Sequence, residues 1–257
     1  MDRTDAQWCR LEPLVPRPRV RPDGKGRPWR DPRDVLHGVL WVMRTGAPWH
    51  DLPDRYPPYK TWHRRFQLWA RNGTLYRVLA LLARELAAAG GYDFTEAFID
   101  ATFAGAKKGA GAVGLTRKGK GTKIMAITDG AGLPLAVTVA SANPGDISLV
   151  EDTLKARFLR PLPKRIIGDR GYDSDAVDAR MAKRGIAFLA PHRSTRRYMT
   201  QDGRQLRRYC RRWKIERFFA SLQYFRRLVT RYECHAENFL AFVQLACIII
   251  LSRQFTR

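Results

Sequence analysis

The chain has 257 residues, 45% of them apolar, which is enough to bury a core in one large or two smaller domains and excludes a disordered or fibrous chain. Lys and Arg number 47 against 24 acids, a net charge of +23 that exceeds what solubility needs and calls for a polyanionic partner, nucleic acid first. Four scattered cysteines, Cys9, Cys210, Cys234 and Cys247, form no C-x-x-C pair, so neither a zinc knuckle nor a disulfide framework is expected, and they are taken as reduced packing residues.

In chain order, residues 10 to 33 hold Pro13, Pro16, Pro18, Pro22, Pro28 and Pro32 among arginines, which predicts an extended basic arm able to follow a phosphate backbone. The apolar spacing from Asp34 to Thr45 predicts a helix stopped at Gly46-Ala47-Pro48. A second helix from near Tyr59 to Arg71 interleaves aromatics with Lys60, Arg64 and Arg65, and a third runs from Leu75 to Ala89 before Gly90-Gly91. Three helices with a basic middle member suit a helix-turn-helix-like module, with a helical cap whose Trp and Phe residues are core as the plainer reading. Residues 1–91 are accordingly read as a basic arm plus helical DNA-binding domain, and 92–257 as a catalytic domain.

After Gly91 the pattern alternates. Phe98 to Phe103 is a strand, and Gly105 to Gly121 a Gly/Lys loop containing Lys118 and Lys120, expected to be mobile without ligand. Lys123 to Thr128 and Leu133 to Ala140 form a hairpin whose Asp129-Gly130 turn accepts positive φ. A helix follows over Asp146 to Arg157 with Asp146 as its N-cap, then a strand ending near Asp169, a helix over Ser174 to Arg184 and a strand over Ile186 to Ala190. A long basic helix from Gly203 closes the series. The last apolar stretch, Phe239 to Leu251, is about 13 residues with Gln244 inside, too short to span a bilayer, so it reads as a buried helix. Met1-Asp2-Arg3-Thr4-Asp5 lacks an apolar core, so no secretory signal is expected, and a cytoplasmic, nucleoid-associated protein without membrane contact is.

The closing helix carries Tyr209, Arg212 and Glu216 as Y-x2-R-x3-E. At roughly 100° per residue these and Gln223 fall within about 60° on one face, apart from the apolar arc of Ile215, Phe218, Phe219, Leu222 and Phe225. Asp100 and Asp169 each sit on or just after an apolar strand. Asp, Asp and Glu at the edges of buried elements form the ligand set hard divalent cations prefer. Between Arg193 and Arg231 stand 13 bases and two acids, Asp202 and Glu216, a density that favours phosphate binding. Contact candidates are Tyr209, Arg212, Gln223, Arg208, Arg211, Lys214, Arg226 and Arg227, with Arg64, Arg65, Lys118 and Lys120 upstream. Arg212 has the alternative of simply pairing with Glu216, and His192 either faces the site or packs.

The order β-β-β-α-β-α-β-α, with acids on the first strand, after the fourth and on the last helix, resembles the RNase H-like fold, an α/β mixed sheet flanked by helices. The chain is similar over nearly its whole length to bacterial DDE transposases of the insertion sequence five family, within the wider insertion sequence four-like group. The resemblance rests on Trp49-His50-Asp51-Leu52-Pro53, Phe98-Ile99-Asp100-Ala101-Thr102, Ile127-Thr128-Asp129-Gly130, Gly168-Asp169-Arg170-Gly171-Tyr172 and Arg211 to Ala220, continued by Phe225-Arg226-Arg227-Leu228. One departure is Gln223, where the wider group's Y-x2-R-x3-E-x6-K motif has a lysine. The short interval from Asp169 to Glu216 leaves no room for the inserted β-domain of some relatives, so clamping of a flipped base by such an insert is not expected.

The resemblance implies that Asp100 and Asp169 lie side by side beneath Glu216 and hold two Mg2+ ions, with Mn2+ able to substitute. It further implies cutting at transposon ends and joining of the 3′-hydroxyl to target DNA by a homodimer on double-stranded DNA. A regulator that has lost catalysis and an RNase H-like nuclease without strand transfer are the alternatives.

Overall fold

The computed structural model describes residues 5–16, 30–56, 58–109, 111–199 and 203–256. Of the basic arm expected over residues 10–33, residues 17–29 lie outside the described ones. The part before them is helical rather than extended: α1 (Asp5–Leu11) runs into a 3-10 turn, Glu12–Leu14. Trp8 and Leu11, three residues apart, share a face and bury it.

α2 (Pro32–Thr45) starts two residues before the expected Asp34, because Asp31 accepts the Arg33 N–H at 2.7 Å and Pro32 is preset for a first turn. Gly46, at φ 73°, ends it. α3 (Tyr59–Arg71) and α4 (Thr74–Ala88) are joined by Asn72 and Gly73; the Asn72 side chain accepts the Thr74 N–H at 3.1 Å and Gly73 takes φ 70°. Trp62, Phe66 and Trp69 of α3 are all buried, so the plainer reading of its aromatics holds.

The sheet consists of β1 (Ala97–Ala106), β2 (Gly114–Thr116), β3 (Gly119–Asp129), β4 (Pro134–Ser141), β5 (Arg165–Ile167), β6 (Ala187–Leu189) and β7 (Thr230–Arg231). β1 is central: antiparallel to β3 from Ala97↔Asp129 to Gly105↔Gly121, and parallel to β5, which is parallel to β6. β4 takes the other edge of β3, β2 pairs with its start, and β7 adds to the far end of β1. The Gly/Lys segment is therefore only in part the loop the sequence suggested: about half of Gly105–Gly121 is sheet, formed as β1 runs on to Ala106 and β2 folds back on β3.

Between strands lie α5 (Val150–Lys155) and α6 (Asp175–Ala182), followed by α7 (Gly203–Leu206), α8 (Trp213–Gln223), α9 (Arg226–Val229) and α10 (Ala236–Ser252). The helix expected over Asp146 to Arg157 divides into a 3-10 turn, Asp146–Leu149, and α5. Asp146 does not cap it, because its carboxylate pairs with Lys123. Ser174 caps α6, accepting the Val177 N–H at 3.4 Å.

The helical stretch Ala236–Phe255, α10 with the 3-10 turn after it, is apolar and long enough to cross a membrane by length and composition, but most of it is buried inside the protein. It packs on α3, α4 and β4, with Phe66 and Phe242 rings 4.3 Å apart, so helices and sheet share one hydrophobic core. Polar ties reinforce the junction: Tyr76 Oη of α4 donates to the Arg157 carbonyl at 3.2 Å, and Arg227 Nη1 donates to the Gly46 and Ala47 carbonyls at 3.2 Å.

The β3–β4 turn is built by Asp129, not by Gly130. The buried Asp129 carboxylate accepts the N–H groups of Asp93, Ala131 and Leu133 at 2.8, 3.0 and 2.7 Å, and the positive φ (88°) belongs to Gly132. Burial, aided by the nearby Asp93 charge, raises its pKa to about 6 against the pull of those three donors. A carboxyl raised on folding favours the native state fully below its unfolded pKa, and that contribution fades as pH rises through about 6. Wild type is therefore expected to gain stability relative to Asp129→Asn as pH falls from 8 to 5, measured as the difference in urea midpoints at the two pH values.

Candidate active site

Asp100 and Asp169 are brought to one edge by strand register. Phe98 of β1 stands opposite Ile167 of the parallel β5; two residues further along each chain lie Asp100 and Asp169. Asp169 leaves the sheet as the cap of a 3-10 turn, Arg170–Tyr172, its Oδ1 accepting the Gly171 N–H at 2.8 Å. Burial pushes the Asp100 carboxyl above its ordinary range; the Ala101 N–H and Arg212 pull it down, and the Asp169 charge pushes it up again.

Glu216 reaches this edge from α8, which packs Ile215, Phe218, Phe219 and Leu222 into the core against β1 and β3 and leaves Glu216 exposed. Arg212 ties it in: Nη1 donates to Asp100 Oδ2 at 2.5 Å and Nη2 to Glu216 Oε1 at 2.6 Å. One guanidinium bridges two of the three acids, so its pairing with Glu216 is real and extends to Asp100. Burial alone would lower the Arg212 pKa, but Asp100, Tyr209 and Glu216 outweigh it and hold the group above its ordinary value. The Arg212 guanidinium carbon lies 5.7 Å from the Tyr209 ring centre.

The single helix expected from Gly203 onward is broken. Residues Arg207–Arg212 form a 3-10 turn between α7 and α8, so Tyr209 and Arg212 sit on the turn and Glu216 on the helix after it. Arg212 and Glu216 still meet because the helical path resumes at Trp213. Gln223 lies exposed at the end of α8, about 10 Å along the axis from Glu216 at 1.5 Å per residue.

The basic candidates divide. Arg64, Lys118, Lys120 and Arg226 are exposed. Arg65 is buried in the helical core, and Arg227 is buried with its Nε donating to Glu233 Oε1 at 2.8 Å. Lys214 turns inward: its Nζ donates to the Gly130 carbonyl, and it lies 5.7 Å from the Phe98 ring centre. Arg208 and Arg211 are half-exposed and face Glu96. Arg227, Lys214, Arg208 and Arg211 depart from a free basic stripe because each has a partner inside the fold. His192 follows the packing reading, its Nδ1 2.9 Å from Asp173 Oδ1, while Asp173 also receives the Arg193 N–H at 2.9 Å and Arg196 Nη1 at 2.6 Å.

Two site neighbours escaped sequence reasoning. Tyr172 is fully buried, with no hydrogen-bond partner for its hydroxyl among the described residues; burial and the Asp146, Asp100 and Asp169 charges keep it protonated. Glu96 is buried before β1 with two arginines over it. The motif Gly168-Asp169-Arg170-Gly171-Tyr172 points at the first; nothing in the sequence singles out the second.

The donor set suits a hard dication. All three groups are carboxylates, and two already share one positive charge. Among the described residues no group of three or more His, Cys, Asp or Glu side chains is placed to hold a metal, and the Arg212 guanidinium lies between Asp100 and Glu216. The cysteines are free, and only Cys247 is buried.

Residues 92–251 match the family model described as "Transposase DDE domain". The chain belongs to the DDE transposase family. Residues 4–79 of this DDE transposase match a second model, "Putative transposase of IS4/5 family". It is 37% identical over 138 residues to the "Putative transposase for insertion sequence element IS402" of Burkholderia cepacia, covering 51% of this chain and 62% of that protein. It is 31% identical over 134 residues to the "Putative transposase for insertion sequence element IS6501" of Brucella ovis, covering 51% of this chain and 98% of that protein. The match thus spans less than two thirds of the IS402 protein's length and nearly all of the IS6501 protein's. Among solved structures, a piggyBac transposase synaptic complex with hairpin DNA superposes with a TM-score of 0.55 at 11% identity, over 96% of this chain and 70% of that one. The shared fold is the RNase H-like mixed sheet flanked by helices, here preceded by a helical region.

Proposed function

We propose that the protein is the transposase of an insertion sequence: it binds the terminal inverted repeats as duplex DNA, cleaves at the transposon ends and joins the freed 3′-hydroxyls to target DNA. The observation that carries this reading is that strand register brings Asp100 and Asp169 to one sheet edge while Arg212 ties Glu216 to Asp100.

Asp100, Asp169 and Glu216 would hold two Mg2+ ions, for which Mn2+ can substitute. Bound there, the metals supply activation of the attacking oxygen and stabilisation of the leaving one. The protein's own groups do the positioning. Asp100 is rigid because it belongs to the central strand, and Asp169 is fixed by its bond to the Gly171 N–H. Arg212, once its carboxylates are otherwise neutralised, has two N–H faces free for a phosphate oxygen, with Tyr209 beside it. Arg64, Lys118, Lys120, Arg226 and Gln223 are exposed and join the duplex contacts, whereas Arg65 and Arg227 are left out because they are buried. In this scheme residues 1–91 engage DNA and 92–257 carry the chemistry, in a cytoplasmic homodimer that brings two ends together.

The test is incubation of purified protein with a labelled duplex of the repeats flanking its gene and a plasmid target, with Mg2+ or EDTA. Metal-dependent joining of the 3′ end to plasmid is the expected result. Binding without cleavage would make the protein a regulator, and cleavage without joining a nuclease.

A further inference from the structure

The turn that carries Tyr209 and Arg212 is held from beneath by a carboxylate outside the acid triad. Glu96 immediately precedes β1, and its side chain is only 2% exposed. Arg211 Nη1 lies 2.9 Å from Glu96 Oε1, a charge contact without hydrogen-bond alignment, and Arg208 Nη1 donates to Oε2 at 3.5 Å. The arginine side chains are 39% and 41% exposed, so each keeps water on its outer side while the carboxylate has almost none. Burying a carboxylate is costly unless cations face it, whereas the half-exposed arginines keep water as an alternative partner.

The 3-10 geometry of Arg207–Arg212 sorts these side chains. At about three residues per turn, residues i and i+3 stack on one face. Arg208 and Arg211 therefore share the face toward Glu96, while Tyr209 and Arg212 share the next, toward Asp100 and Glu216. A regular α-helix through 207–212 would set the two members of each pair about 60° apart. Glu96 and Asp100 lie four residues apart on one stretch of chain, about 13 Å at 3.3 Å per residue. The turn is thus fastened to β1 at two points, by Arg208 and Arg211 at one and by Arg212 at the other, which sets its rotation and the direction of Arg212.

We infer that Glu96 is a positioning residue of the active site, and that Arg208 and Arg211 serve as its anchors and not primarily as DNA contacts. This rests on the proposed DNA cleavage for its functional half only; the anchoring half stands on free protein.

The test compares wild type, Glu96→Gln and Glu96→Asp. Hydrogen exchange of the free protein should show amides of residues 207–212 exchanging about tenfold faster in Glu96→Gln, with those of β1 and β3 unchanged. Single-turnover cleavage of the repeat duplex should fall about tenfold or more, the scale expected when a reacting group is misplaced by a fraction of an ångström to an ångström. Duplex affinity should be kept or strengthened, with a salt dependence no shallower than wild type, because two arginines are released rather than lost. Glu96→Asp, which retains the charge on a shorter arm, should lie between the two in both exchange and cleavage.

Unchanged exchange over 207–212, or faster exchange throughout the chain, would overturn the anchoring. Faster local exchange with wild-type cleavage would overturn the positioning role. Absence of cleavage in the wild type itself, with the local exchange change present, would sink the proposed function and leave the anchor standing.

Discussion

Glu216→Gln, Asp100→Asn and Asp169→Asn are each expected to slow DNA-end cleavage by roughly a hundredfold to a thousandfold, equivalent to the several kcal/mol of charge stabilisation a correctly held metal supplies. Duplex binding should survive in all three, because removing a negative charge from a basic face does not weaken phosphate attraction. The amides keep the local scaffold. Asn at 169 still accepts the Gly171 N–H, and Gln at 216 still accepts from Arg212, so the change tests charge rather than folding. Asp100→Asn is the most informative, since that carboxylate meets Arg212 directly and is raised by its proximity to Asp169 as well as by burial. Gel-resolved cleavage and anisotropy binding on the same samples provide the measurement. Near-normal cleavage in any one variant would remove that residue from the metal-holding set.

Trp62→Ala is expected to destabilise the protein by about 3–5 kcal/mol, the range for emptying a large buried aromatic site. Trp62 has no exposed surface; it meets Tyr56 edge-on with ring centres 5.7 Å apart, and α2 approaches it through Gly38. A Cβ on Gly38 would lie 2.9 Å from Trp62 Cε3, so Gly38→Ala should also destabilise, by about 1–3 kcal/mol through overpacking. Both effects are measured by urea unfolding. If the α3 aromatics served DNA instead of the core, Trp62→Ala would keep wild-type stability and lose only affinity.

The elements legible in the sequence are those whose signal is local. The span Tyr59–Arg71 was readable because its apolar residues recur at helical spacing, Asn72-Gly73 supplies the stop, and no tertiary contact opposes either. The strand carrying Asp100 and the hairpin after it were likewise readable from alternation, and the order of strands and helices pointed to the mixed sheet. The three acids stood out because each interrupts or closes an apolar run.

What required tertiary structure was every feature set by a distant partner. Gly105–Gly121 looks like a loop by composition, but both its ends and its middle join the sheet because Gly121 pairs with both Gly105 and Gly114, which no local propensity encodes. The break at Arg207–Arg212 is invisible in a run of good helix formers. It arises where Glu96, 112 residues before Arg208, pairs with that arginine and with Arg211. Arg65 and Arg227 read as surface cations by residue type, yet packing of α3 and the tie from Arg227 to Gly46 and Ala47 bury them. Sequence by itself determined which carboxylates are candidates and which elements bear them, because periodicity and residue chemistry are local. Only the tertiary structure decided which cations stand exposed and which are paired inside the fold, because burial and charge pairing depend on residues far apart in the chain.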